Sequence, residues 1–237
     1  ITKQEIQVEN GHFTPEIMHR LGKVSDPQLS PNYGKILYGV TYTSIEQNKG
    51  NRELFLMNAD GSDNVKLTSS PKSESNARWL NDSEIIYMRG GKLYTAKVEG
   101  NALKNEKEIT GAEGMESFEL SPAGDKIMFI KPIKAAQKPT DAYPDLDKSS
   151  GRTYTDMMYR HWDHFVEEVP HTYVASFDGA KVDGIIDILA GDKANPETED
   201  KKFELPTLPF GGLEQLSWSP DGKYIAYSCR KLAGRDY

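Results

Sequence analysis

Apolar and polar positions alternate with period two through much of the chain, in short bursts separated by turn residues, as strands and hairpins require. Four segments repeat one pattern: Leu29-Ser30-Pro31-Asn32-Tyr33-Gly34-Lys35-Ile36-Leu37-Tyr38, Trp79 to Tyr87, Leu120-Ser121-Pro122-Ala123-Gly124-Asp125-Lys126-Ile127-Met128-Phe129, and Trp218-Ser219-Pro220-Asp221-Gly222-Lys223-Tyr224-Ile225-Ala226-Tyr227. In each, Pro (Leu80 in the second) precedes an aromatic residue by seven positions. The pattern predicts a strand ending at the Ser, a turn started by Pro and closed by Gly, and a second strand burying its aromatic face. A lone hairpin is marginal in water and needs neighbours.

Further strands follow each hairpin. Glu53–Asn58 alternates and meets a turn at Ala59-Asp60-Gly61-Ser62, before a short strand at Val65–Thr68. Lys92–Val98, a turn at Glu99-Gly100-Asn101, and Lys107–Thr110 repeat that arrangement. Four short strands per repeat at a period of roughly 40 to 50 residues signal propeller blades. The predicted fold is all-β: a partial β-propeller of about four TolB-like blades, with an N-terminal helix and one helical insertion. The blades are expected near 24–70, 75–112, 115–190 and 213–237, after an N-terminal segment over 1–23.

The third repeat breaks the period. Its second strand is expected to end near Lys131, and the next clear strand is His171–Phe177. The insertion over 132–170 is long by loop standards and so expected to be functional or internally ordered. Its first half reads as an exposed excursion. Its second half predicts a helix from Thr153 to Glu168, with Tyr154, Met157, Met158, Phe165, Val166 and Val169 at helical spacing, a capping box at Thr153 and Asp156, and Pro170 as the stop. Near the start of the chain, Thr14 suits an N-cap, Pro15 the first helical position and Gly22 the C-terminal stop. Residues 191–209 read as a connector, and the fourth repeat supplies only two strands. A half-blade exposes an unpaired edge, so the chain is expected to be the N-terminal part of a longer protein.

Composition changes this picture little. The net charge of −7 argues against a nucleic-acid partner, which needs a basic face. Apolar runs such as Ile185–Ala190 are far shorter than the roughly 20 residues of a spanning helix, so no membrane span is expected. Cys229 is the only cysteine, which excludes an internal disulfide. No signal core opens the chain, although one removed earlier would leave none. No P-loop or dinucleotide fingerprint is present, and no cofactor is expected.

Phe13-Thr14-Pro15-Glu16-Ile17, followed by Val24-Ser25-Asp26-Pro27-Gln28-Leu29-Ser30-Pro31, resembles the opening of bacterial prolyl oligopeptidase-family serine peptidases, which include acylaminoacyl-peptidase and dipeptidyl-peptidase branches. Met158-Tyr159-Arg160-His161-Trp162-Asp163 is similar to a segment of the dipeptidyl-peptidase V-like branch. The resemblance implies a C-terminal α/β-hydrolase domain in the intact protein, carrying the Ser-Asp-His triad, with the propeller restricting entry to short peptides. No Gly-x-Ser-x-Gly occurs in this chain, so no catalytic residue is carried over and the chain alone should be inactive. The implied partners are peptide substrates, the protein's own hydrolase domain and, as an option, a second copy. The implied compartment is the periplasm or the exterior, with the cytoplasm as the alternative.

Candidate chemistry gathers in the insertion, where Arg160, His161, Trp162, Asp163, Glu167 and Glu168 form the substrate-facing set. An enzyme that removes dipeptides must hold a substrate α-ammonium, and paired carboxylates do so through charge-assisted hydrogen bonds. Glu167-Glu168 resembles the acidic pair of some dipeptidyl peptidases. The competing reading packs Trp162 and Phe165 against the blade and leaves the charges solvated. His161, His164 and Glu168 would share one face of a helix, but without His-Glu-x-x-His no metal is assigned. Asp141, Asp145 and Asp147 lack calcium-loop spacing and read as solvation of a loop. Trp79 and Trp218 read as core. Ser30, Ser121 and Ser219 read as turn residues, because no His or Asp is placed to activate them. Two functions remain: a substrate-gating propeller of a serine exopeptidase, or a non-catalytic TolB-like scaffold of the cell envelope. A sugar- or metabolite-binding propeller has no residue in its favour.

Overall fold

The computed structural model describes residues 1–8, 10–134, 137–154, 160–161, 164–190, 204–207 and 211–229. The N-terminal helix α1 (Pro15–Arg20) is capped by Thr14, whose hydroxyl accepts the Ile17 N–H at 3.3 Å. Pro15 costs the helix nothing at its first position, where the N–H would be unpaired. Gly22 acts differently from a left-handed stop. It keeps an ordinary φ, and a Cβ there would lie 2.8 Å from Tyr42 and Val40, so its role is close approach to the strand that carries those two side chains.

The strands form antiparallel meanders. The first sheet is β1 (Lys23–Leu29), β2 (Lys35–Ser44), β3 (Lys49–Asn58) and β4 (Val65–Lys66) in that order. The second is β5 (Glu74–Asn81), β6 (Glu84–Arg89), β7 (Lys92–Glu99) and β8 (Ala102–Glu108). The third joins β9 (Ser117–Leu120) and β10 (Lys126–Lys134) to β13 (Glu168–Phe177) and β14 (Val182–Asp187), in the order β9-β10-β13-β14. Inserted between β10 and β13 are the single-turn helix α2 (Pro139–Ala142) and the short strands β11 (Arg160–His161) and β12 (His164–Phe165). A last hairpin pairs β15 (Leu216–Trp218) with β16 (Ile225–Tyr227). The chain is thus all-β, a partial propeller of blade-like sheets.

The chain divides into two compact units, residues 1–113 with 179–181, and residues 114–178 with 182–237. In the first unit the two sheets share a core of Leu37, Leu54, Leu56, Ala77, Ile85, Tyr87, Ala96 and Val98, with Trp79 packed against it. The middle strands β2 and β6 are buried on both faces, and Leu37, Ile85 and Tyr87 turn one face of each into this core. In the second unit Met128, Ile130, Leu189, Leu205 and Leu216 form the core, and Trp218 packs against it. Leu205 lies within the expected connector; its N–H reaches the Pro170 carbonyl at 3.0 Å, and its own carbonyl accepts from Thr172 Oγ1 at 2.9 Å. Residues 191–203 and 208–209 of that connector lie outside the described residues.

The repeat proves to be a stapled turn. Ser30 Oγ accepts the Lys35 N–H, Ser121 Oγ the Lys126 N–H and Ser219 Oγ the Tyr224 N–H, at 2.9, 3.1 and 2.9 Å. Three residues after each Ser the backbone turns left-handed, at Tyr33, Gly124 and Gly222. In the first repeat Tyr33 takes that conformation although Gly34 stands beside it. The serines are structural, as their position before Pro implied.

The helix expected over Thr153–Glu168 is not formed by the described residues. Arg160–His161 pairs antiparallel with His164–Phe165, and Thr153 bridges Gln137. Met157, Met158 and Asp156, and with it the capping box, lie outside the described residues. β10 runs past Lys131 to Lys134, and β13 begins at Glu168, so the sheet claims both ends of the insertion. Pro170, expected to stop a helix, faces Pro132 across the ladder. Neither proline can donate, so the pair fits a non-hydrogen-bonded site at no loss to the ladder.

Candidate functional site

The site expected in the insertion grows from the extended β10–β13 ladder, whose last pair is Lys134 with Glu168. Beyond it the chain closes on itself, as the Gln137 and Thr153 backbones exchange hydrogen bonds of 3.4 and 3.0 Å. Asp141 caps α2 by accepting the Lys138 N–H at 2.7 Å and pairs with Lys134. The Lys134 ammonium, and then the Lys138 N–H, hold its carboxyl below the usual range.

Of the proposed substrate-facing residues, the structure fixes three. Glu167 accepts from Lys138 Nζ at 2.8 Å and from Arg152 Nε. These bonds hold its carboxyl below the usual range, Lys138 contributing most. Glu168 stands exposed at the start of β13. The two carboxylates therefore do not act as a pair: one is already clamped by two cations, the other faces solvent. Arg160 is exposed, its guanidinium 5.7 Å from the Phe165 ring centre. On that ring Arg152 also rests at 4.4 Å, and Tyr154 stacks at 6.4 Å. His161 is placed by its backbone alone, opposite His164; with the chain extended there, the shared helical face that would have brought His161, His164 and Glu168 together does not exist. Trp162 and Asp163 lie outside the described residues.

Sequence reasoning missed Lys138, Arg152 and Tyr154. They lie 29, 15 and 13 residues before Glu167, at no regular spacing, and only the closure of the insertion brings them together. No group of three or more His, Cys, Asp or Glu suited to a metal ion occurs among the described residues.

A second polar cluster lies in the first unit, where β1 meets β5. Both strands carry a bulge with a left-handed residue, Asp26 at φ 53° and Asn76 at φ 52°. Asn and Asp tolerate this conformation best, and bulges beside functional sites re-aim side chains. Asp26 accepts two bonds of 2.9 Å from the single nitrogen Nη1 of Arg78, and lies 3.7 Å from Arg52 Nη2. Arg52 donates from Nε to Ser25 Oγ and from Nη1 to the Glu74 carbonyl, at 3.2 and 2.9 Å. Its guanidinium lies flat on Gly39, where a Cβ would fall 2.0 Å from Cζ. Burial pulls the Arg52 pKa down, against the attraction of Asp26.

No family model matches the chain. It is 36% identical over 229 residues to dipeptidyl-peptidase 5 of Porphyromonas gingivalis, covering 95% of this chain. To dipeptidyl-peptidase 5 of Porphyromonas endodontalis it is 33% identical over 234 residues, covering 97% of this chain. The chain is a β-propeller segment related to dipeptidyl-peptidase 5. It spans 32% of the length of each of those two dipeptidyl-peptidase 5 relatives. Among solved structures, Pyrococcus horikoshii acylaminoacyl peptidase shares the fold, with a TM-score of 0.51 at 15% identity over 71% of this chain and 25% of that one.

Proposed function

We propose that this chain is the substrate-gating propeller segment of a serine exopeptidase that removes short units, dipeptides foremost, from peptide N-termini. The observation that carries the reading is the 36% identity to a dipeptidyl-peptidase 5 across 95% of the chain. The triad would lie on an α/β-hydrolase domain elsewhere in the intact protein. The insertion would contribute selection, through Arg160 and Glu168 as exposed charges and through His161, Trp162 and Asp163, which follow Arg160 in the sequence. Glu167 would act indirectly, as the anchor that Lys138 and Arg152 grip. A periplasmic or secreted location suits a peptide-scavenging role.

The test is hydrolysis of dipeptidyl chromogenic substrates by the intact protein. Expected are turnover, its loss to a fluorophosphonate inhibitor, and no label on Ser30, Ser121 or Ser219. An intact, folded protein that cleaves none of these substrates overturns the reading and leaves a binding scaffold in its place.

A further inference from the structure

We propose that Arg78, backed by Arg52, is a receptor for a carboxylate, and that this carboxylate is the C-terminus of a short peptide; the choice of peptide rests on the peptidase reading above. Three observations lead there. The two guanidiniums share one ion-paired carboxylate, Asp26, and the further carboxylate of Glu74 acts on Arg52. Asp26 occupies only Nη1 of Arg78, which also donates to its neighbour's carbonyl, Ala77 O, at 2.8 Å. No hydrogen bond from Nε or Nη2 of Arg78 is formed among the described residues, and the side chain is 25% exposed. A simple tie between β1 and β5 would engage both arms of the fork. Here one arm is anchored and the other edge is left open, in the geometry that grips a carboxylate through two parallel bonds.

The backbone serves the same arrangement. The bulge in β1 turns Asp26 toward Arg78, and the bulge between Ser75 and Arg78 turns the arginine toward Asp26. Arg52, 13% exposed and committed through all three nitrogens, adds charge and fixes Asp26 without reaching the ligand itself. Trp79 Nε1 donates to the Gln28 carbonyl at 3.1 Å and ties β5 to β1 beside the cluster. The open edge is therefore held rigidly, which lowers the cost of capturing an anion.

The intact protein is assayed with three tripeptides: Ala-Ala-Ala acid, its C-terminal amide, and the amide with Glu in third place. The acid is expected to show a KM about tenfold below that of the plain amide, the scale of one charge-assisted fork. Arg78→Gln should bring the two KM values together, and Arg78→Lys, which keeps the charge but not the fork, should fall between. If only the Glu-bearing amide gains, and Arg78→Gln removes that gain, the carboxylate site stands with a side chain as its ligand. Equal KM values for all three peptides in the wild type overturn the site, as does a preference that survives Arg78→Gln. If nothing is cleaved, the peptidase reading fails instead. Calorimetric binding of the same peptides to wild type and Arg78→Gln then decides the site: acid-selective binding lost in the variant supports it, and no selectivity overturns it.

Discussion

Glu74 is the residue whose surroundings conflict most with its chemistry. Its side chain is fully buried; Thr68 donates to one oxygen at 3.0 Å, and the other, Oε1, accepts no hydrogen bond within 3.5 Å among the described residues. Burial raises its pKa, and the Thr68 bond, the Arg89 charge and the Ser70 hydroxyl only partly oppose this. Glu53, itself buried and paired with Lys66, adds a repulsion in the same direction. The folded chain thus binds this proton more tightly than the unfolded chain does. The contribution of Glu74 to stability is complete below the usual carboxylate range and is lost as pH rises through the raised value. Glu74→Gln removes that loss, so the variant's denaturation midpoint, relative to wild type, should climb from acidic to neutral pH. Parallel urea melts across that range check it, and a pH-independent difference contradicts it.

At the scale of the element, the aromatic that follows each of the first three repeat turns has a defined partner. Tyr38 stacks on Phe55, Tyr87 on Tyr94 and Phe129 on Tyr173, each directly across the ladder, with ring centres 5.7, 6.0 and 5.4 Å apart. Cross-strand aromatic pairs are a unit of sheet stability, and these recur from blade to blade. Phe129 is 1% exposed, so Phe129→Ala should cost about 3–5 kcal/mol, read as a fall in the denaturation midpoint of the intact protein. The repeat was legible in the sequence because seven residues separate turn from aromatic in every copy. Its partners were not, because Phe55, Tyr94 and Tyr173 sit at unequal distances along the chain and only strand register aligns them. The insertion misled for a related reason: a few apolar residues fit helical spacing, yet β10 and β13 extend toward one another and their pairing outweighs local periodicity.

For the whole molecule, the insertion is an appendage on a sheet that closes without it. The β10–β13 ladder runs unbroken from Lys126–Ser176 to Lys134–Glu168. Replacing residues 138–165 by a short turn should leave the intact protein folded, with a thermal midpoint within a few degrees, while widening the range of peptide lengths it cleaves. Cleavage of a graded peptide series measures this, and unchanged length selection would remove the insertion from the gating role. The sequence alone determined the strand repeats, the turns between them, the capped N-terminal helix and the kinship with peptidase propellers, because each is written in residues close together in the chain. Tertiary structure alone decided that Glu167 is gripped by Lys138 and Arg152 while Glu168 stands apart, and that Asp26, Arg52 and Arg78 meet. Those groups come from distant segments, and side-chain neighbours across sheets follow from register and bulges, which local spacing does not encode.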